Sequence, residues 1–283
     1  MMLSLKNSRT KKKVIDNSVT KKRKKPSILV SNDDGIDAPG IYALVQELNK
    51  IGTVTVVAPD EQRSAVGHAI TMNYPLRVRK FHKNREFFGY AVEGTPADSV
   101  KIAIRTVMHE PPDLLVSGIN HGSNTAINII YSGTVSAATE GTIMGIPSIA
   151  ISLTTYDKPD FRFAAKFSRK LAEFILKRGL PKDTLLNVNI PPIKEKDIQG
   201  VRITRQGKSR WDDTFDVRRD PNNKEYYWLT GKMDVLDTSP ETDLIAIFQK
   251  FISITPIHFD LTDHKTFSEM KSWKLEKLFK PKR

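Results

Sequence analysis

Short apolar runs alternate with longer stretches of helical period along the chain from Ser27 onward. Residues 27–31, 53–58, 113–117, 148–152 and 185–189 are each brief, rich in branched aliphatic residues and apolar at successive positions. They read as strands covered on both faces. Between them, residues 40–49 put Ile41, Leu44, Val45 and Leu48 on one side, which predicts a helix. Thr95-Pro96-Ala97-Asp98 predicts a helix start, with Thr95 as N-cap, proline in the first helical position and an acid in the first turn. Residues 161–178 carry Phe163, Phe167, Leu171, Phe174 and Ile175 at helical spacing and stop at Gly179-Leu180-Pro181. This alternation predicts the α/β class: three layers around a mostly parallel sheet.

Two regions break the pattern. Residues 74–81 and 86–92 read as a hairpin turning at Lys83-Asn84-Arg85. After Pro191-Pro192, extended stretches at 198–204 and 225–229 surround a charged loop, and 251–255 precedes Pro256, expected to end that strand. The predicted organisation is a Rossmann-like core over 27–192 and an extended excursion with hairpins over 193–264, of the sort that makes subunit contacts. A basic tail flanks them at 1–26. At 265–283 a basic segment could form a short amphipathic helix through Phe267, Met270, Trp273, Leu275 and Leu278.

The net charge of +13 suggests a polyanion partner until it is divided along the chain. Residues 1–26 hold ten Lys/Arg against Asp16, and 265–283 hold seven against Glu269 and Glu276, so the body between is nearly neutral. For a block such as Lys21-Lys22-Arg23-Lys24-Lys25, a solvated, disordered tail is favoured over an electrostatic grip on nucleic acid or an anionic membrane. Cysteine is absent, which fits a reducing compartment and leaves oxygen or imidazole to hold any metal. No apolar run approaches the ~20 residues that span a bilayer, and no secretory signal is evident. The expectation is a cytoplasmic protein with neither a membrane nor a specific nucleic-acid partner.

Candidate chemistry lies at the strand ends. Asp33 and Asp34 follow the first strand directly, where open α/β sheets place ligands. Neighbouring carboxylates repel and suit a hard cation such as Mg²⁺ or Mn²⁺. The stretch Asn32-Asp33-Asp34-Gly35 serves equally well as a solvated turn, and Asp37 is a candidate cap for the next helix. Other rims tip that balance. Residues 58–64 bring Arg63 and Ser64, and the loop after the third strand brings Asn120, His121 and Asn124. Ser132-Gly133-Thr134 opens a helix whose N–H groups suit a phosphate. For His68 and His121 a local hydrogen bond is the commoner use.

These residues together resemble the SurE family of survival-protein nucleotidases. The resemblance is carried by Ser31-Asn32-Asp33-Asp34-Gly35 with Ala38-Pro39-Gly40, Ala58-Pro59 with Arg63-Ser64, residues 92–98, Ser117-Gly118-Ile119-Asn120 with Gly122 and Asn124, and Tyr131-Ser132-Gly133-Thr134-Val135. It runs from about residue 27 to 262, and the early motifs in their order are highly specific. It implies a metal-dependent phosphomonoesterase acting on nucleoside monophosphates, with some members trimming short polyphosphate. One divalent ion per subunit, Mg²⁺ or Mn²⁺, would be held by Asp33, Asp34, Ser64 and Asn120. Catalysis would fall to Asp33, Asp34 and Asn120, with Asp33 the leading general base, and phosphate contact to Asn124, Ser132, Gly133 and Thr134. The resemblance also implies a homodimer or homotetramer in the cytoplasm. The chain departs from the family pattern at Ala126, Asn128, Ser136, Asn222-Asn223 and Lys250, none of them a metal position.

Three rival readings are weaker. A signalling receiver needs an aspartate at the end of its third strand, where Val116-Ser117-Gly118-Ile119-Asn120 offers no carboxylate. An aspartyl-nucleophile phosphatase needs two aspartates one residue apart, a spacing that Asp33, Asp34 and Asp37 do not provide. The neutral body argues against a nucleic-acid module.

Overall fold

A computed structural model describes residues 25–279. The predicted basic tail lies outside that range except for its last two residues, as do the final four residues of the chain. In order the elements are β1 (Ser27–Ser31), α1 (Pro39–Leu48), β2 (Thr53–Pro59), β3 (Val78–Lys83), β4 (Glu86–Val92), α2 (Pro96–Ile102), β5 (Leu114–His121), α3 (Asn128–Tyr131) and α4 (Gly133–Ile143). There follow β6 (Ser148–Leu153), α5 (Arg162–Arg178), β7 (Thr184–Ile190), β8 (Gly200–Ile203), β9 (Ser209–Arg219), β10 (Glu225–Val235), α6 (Asp243–Phe248), β11 (Phe251–His258) and α7 (His264–Met270).

Nine strands form one sheet in the order β3-β4-β2-β1-β5-β6-β7-β11-β8, parallel except at the β3/β4 and β7/β11 pairings. Strand side chains alternate between faces. Ile28 and Val30 therefore enter the cluster beneath α1 and α5, and Leu29 enters the opposite cluster with Val100, Val135 and Ala138 from α2 and α4. Each such aliphatic side chain, buried fully, stabilises the fold by about 1.5–3 kcal/mol. From β1 the chain steps to β2 on one side and later returns to β5 on the other. The strand order thus reverses between β1 and β5, which opens a crevice beyond their C-terminal ends.

Several expectations need correction. β5 continues past Ser117, because its ladder with β6 skips between Ser117 and Asn120 and then resumes; Gly118 marks a bulge rather than a strand end. β11 runs through Pro256, since its pairing with β8 finishes at Ile254 and a strand with one remaining neighbour tolerates proline. Helix α1 is capped by Ala38 without a side-chain bond, while exposed Asp37 pairs with Lys83 at 2.8 Å. The C-terminal segment is not one helix: α7 gives way to short 3₁₀ turns around Lys274, which is left-handed. The excursion is dominated by β9 and β10, an eleven-residue antiparallel ribbon outside the main sheet. Asn223 and Lys250 both have positive φ, the conformation glycine takes most easily.

Candidate functional site

Asp33 and Asp34 leave β1 at the crevice, flanked by the ends of β2 and β5. Asp33 is 4% exposed and Asp34 half-buried. The loop after β2 crosses directly over the pair, with the Arg63 N–H donating to the Asp33 carbonyl at 2.7 Å and Ile36 N–H to the Pro59 carbonyl at 2.8 Å. Ser64 follows on the exposed side, its hydroxyl accepting from the Gln62 amide at 2.9 Å. From β5, the His121 N–H donates to Asp34 Oδ2 at 3.1 Å, so the preceding Asn120 lies beside the pair. Asn120 directs its amide nitrogen to the Gly122 carbonyl at 3.0 Å, leaving Oδ1 as the atom able to meet a cation.

Helix α4 closes the other side. Ser132 is its N-cap, the hydroxyl accepting from Val135 N–H at 3.0 Å. The Thr134 hydroxyl donates to Asp33 Oδ1. The approach is so close that a Cβ on Gly133 would lie 2.6 Å from that of Asp33, so only glycine fits. Asn124 is held from three sides: its N–H donates to Asn189 Oδ1 at 2.9 Å, its carbonyl accepts from Asn187 and Asn189, and its amide nitrogen donates to Ser152 Oγ at 2.8 Å. The structure thus bonds Thr134 to Asp33 and the His121 N–H to Asp34, with Asn120 adjoining His121 on β5, Gly133 packed against Asp33, and Ser64 one residue beyond the Arg63 N–H that meets the Asp33 carbonyl.

Burial dominates the electrostatics. It pushes the Asp33 carboxyl up to about 6, with the charge of Asp34 adding and the Thr134 hydrogen bonds opposing. Burial also raises Asp34, against the His121 N–H. No cationic side chain bonds to either carboxylate among the described residues. Ser31 Oγ and Asn32 Oδ1 at the end of β1, and Ser117 Oγ of the paired position in β5, are buried atoms that no protein group satisfies.

The histidines are locally engaged. His68 Nε2 meets buried Glu140 of α4 at 3.0 Å, and His121 Nε2 meets the Asp157 carbonyl at 2.7 Å. Burial works to raise the Glu140 carboxyl, but hydrogen bonds from His68 and Lys101 outweigh it and hold it low. Sequence reasoning passed over Glu140, Asp243 and the Asn187/Asn189 pair. The last had a signal, two asparagines alternating within an otherwise apolar strand.

With this geometry in view, comparison with known proteins is direct. The family model described as Survival protein SurE matches residues 28–213. A 5′-nucleotidase SurE of Chlorobium luteolum is 51% identical over 91% of this chain and 99% of its own length. That of Chlorobaculum tepidum is 49% identical over 93% of this chain and 100% of its own. The crystal structure of the SurE protein from Aquifex aeolicus superposes with a TM-score of 0.77 at 41% identity, covering 88% of this chain and all of that one. Matched by one family model over most of its length, about half identical to curated relatives and alike in fold to a solved member, this chain belongs to the SurE family.

Proposed function

We propose that the protein is a metal-dependent phosphomonoesterase that hydrolyses nucleoside 5′-monophosphates to nucleoside and phosphate, with 3′-monophosphates and short polyphosphate as further substrates. Relatives near 50% identity that bear the name 5′-nucleotidase support the substrate class. The observation that carries the chemistry is the buried Asp33–Asp34 pair, flanked by neutral oxygen donors and, among the described residues, hydrogen-bonded to no cationic side chain.

The residues present fit a hard divalent ion. Among the described residues no group of three or more His, Asp or Glu could hold a metal, so the donor set completes itself with neutral oxygens. Asp33, Asp34, Asn120 Oδ1 and Ser64 Oγ would hold one Mg²⁺ or Mn²⁺ per subunit, donors typical of such ions. Bound there, the ion would supply Lewis-acid stabilisation of the phosphoryl oxygens. The N-terminal turn of α4 at Ser132–Thr134 presents the positive end of its dipole to the phosphate. Asn124 Nδ2, with one N–H given to Ser152, has a second that would donate to the same anion. Asp33 would accept the proton of the attacking water.

The ribbon of β9 and β10 exposes Trp211, Phe215, Val217, Tyr227, Trp228 and Leu229. Two strands alone are marginal in water, and we assign this surface to subunit contacts in a homodimer or homotetramer. Among the described residues no helix is long and apolar enough to cross a membrane. With no cysteine in the chain, we assign the protein to the cytoplasm.

The deciding experiment is phosphate release from a panel of nucleoside monophosphates with Mg²⁺, with Mn²⁺ and with EDTA. Metal-dependent release is expected; release undiminished by EDTA overturns the reading.

A further inference from the structure

We infer that Asp243 is a positioning residue for the phosphatase site, a buried carboxylate that staples the C-terminal excursion to the loop carrying Asn124. This rests on the reading above, in which Asn124 faces the substrate phosphate.

The loop from Asn124 to Asn128 contains Ala126, which sits at φ +52° in the left-handed region where side chains crowd the backbone. An alanine there needs an external hold, and the excursion provides it on both faces of the peptide. The Ala126 N–H donates to Asp243 Oδ2 at 2.9 Å, and its carbonyl accepts from Gln206 Nε2 at 2.8 Å. The other oxygen of Asp243 accepts from Gly207 N–H at 2.9 Å and Leu244 N–H at 2.8 Å. Asp243 has no exposed surface, and its own N–H donates to the Arg205 carbonyl at 3.0 Å. One carboxylate therefore joins the site loop, the 205–207 segment leading into β9 and the first turn of α6.

The staple continues along the root of the ribbon. Ile127 N–H reaches Ser209 Oγ at 3.4 Å, and Trp211 Nε1 donates to Asn128 Oδ1 at 2.9 Å. Asn124 is thus gripped from the core side by Asn187, Asn189 and Ser152, while Ala126, Ile127 and Asn128 are gripped from the excursion. Losing the second grip frees Ala126 to relax toward negative φ and drags Asn124 with it. The excursion builds the floor of the site as well as a surface for assembly.

The test compares full-length Asp243→Asn with wild type by Mn²⁺-supported phosphate release, calorimetric Mn²⁺ binding and hydrogen exchange at residues 124–128. Asparagine turns one acceptor into a donor facing a backbone N–H. We expect KM to rise about tenfold with kcat within about threefold, and the Ala126 amide to exchange faster. Mn²⁺ affinity should stay within about twofold, because Asp33 and Asp34 stand on β1. Adding Ala126→Gly should return KM to near the wild-type value, since glycine holds positive φ unaided. A merely destabilised protein would not show that selective rescue. Should Asp243→Asn fail to fold, Gln206→Ala removes the facing bond and should raise KM severalfold. Unchanged KM and exchange in either folded variant, a parallel loss of Mn²⁺ affinity, or no rescue by Ala126→Gly overturns the inference. If the wild type releases no phosphate at all, the functional reading falls, while exchange at Ala126 still decides the staple.

Discussion

At the C-terminal edge of β1 and β5 the molecule buries polar groups, and along β9 and β10 it exposes apolar ones. Each region departs from the ordinary partition of side chains, in opposite directions. A buried polar group without a partner costs about 1–3 kcal/mol, so Ser31, Asn32 and Ser117 are retained at a loss of stability. An exposed run of Trp, Phe and Leu carries no comparable strain in the isolated chain but invites association. On the proposed function, the edge serves a small charged ligand and the ribbon a macromolecular surface. Disturbing the first should abolish chemistry; disturbing the second should alter assembly first.

The largest effect expected is at the edge. Asp33→Asn should lower phosphate release on the order of a hundredfold or more, measured under saturating Mn²⁺, and unchanged turnover would remove Asp33 from the site. Gly133→Ala comes next, because its new methyl would lie 2.6 Å from Asp33 Cβ. About tenfold lower activity and about 1–3 kcal/mol lower stability by denaturant titration are expected. Titration sharpens the contrast further. Asp33 is raised from 3.8 to about 6, so the folded metal-free protein keeps a proton that the unfolded chain has lost in that window. The contribution of Asp33 to stability, read as the difference between wild type and Asp33→Asn, should accordingly fall by on the order of 2 kcal/mol as pH rises from about 4 to about 6. Mn²⁺ competes with that proton and should flatten or reverse the slope, as thermal melts would show. The smallest effect on turnover is expected at the ribbon: Trp228→Glu with Leu229→Glu should reduce the mass seen by light scattering while activity per chain stays within about threefold. Monomers from the unaltered chain would break the comparison.

Legibility in the sequence follows the same divide. The core strands and α1, α2 and α5 were readable because doubly buried strands and one-sided helices leave periodic apolar patterns, as at Ile28–Val30 and Ile41–Leu48. Thr95 announced its cap through the Pro96 and Asp98 that follow, and the structure shows the full capping box. β5 was cut short because Gly118 resembles a terminator, whereas whether a glycine ends or bulges a strand depends on a neighbour that sequence does not name. The acidic pair alone reads equally well as a solvated turn, and it stood out as candidate chemistry only together with the polar rims at the neighbouring strand ends. Asp243 and Glu140 were not, because a single acid in a polar stretch looks solvated until tertiary contacts bury it. The close approach of Gly133 to Asp33 joins residues a hundred positions apart, which no local pattern encodes.

The claim on which the rest depends is that Asp33 and Asp34 share one divalent ion with Asn120. Anomalous diffraction from crystals soaked in Mn²⁺ tests it most directly. The account predicts one strong peak per chain within bonding distance, about 2.0–2.3 Å, of oxygens from Asp33, Asp34 and Asn120. Manganese bound elsewhere, with the crevice empty at saturating concentration, would contradict it.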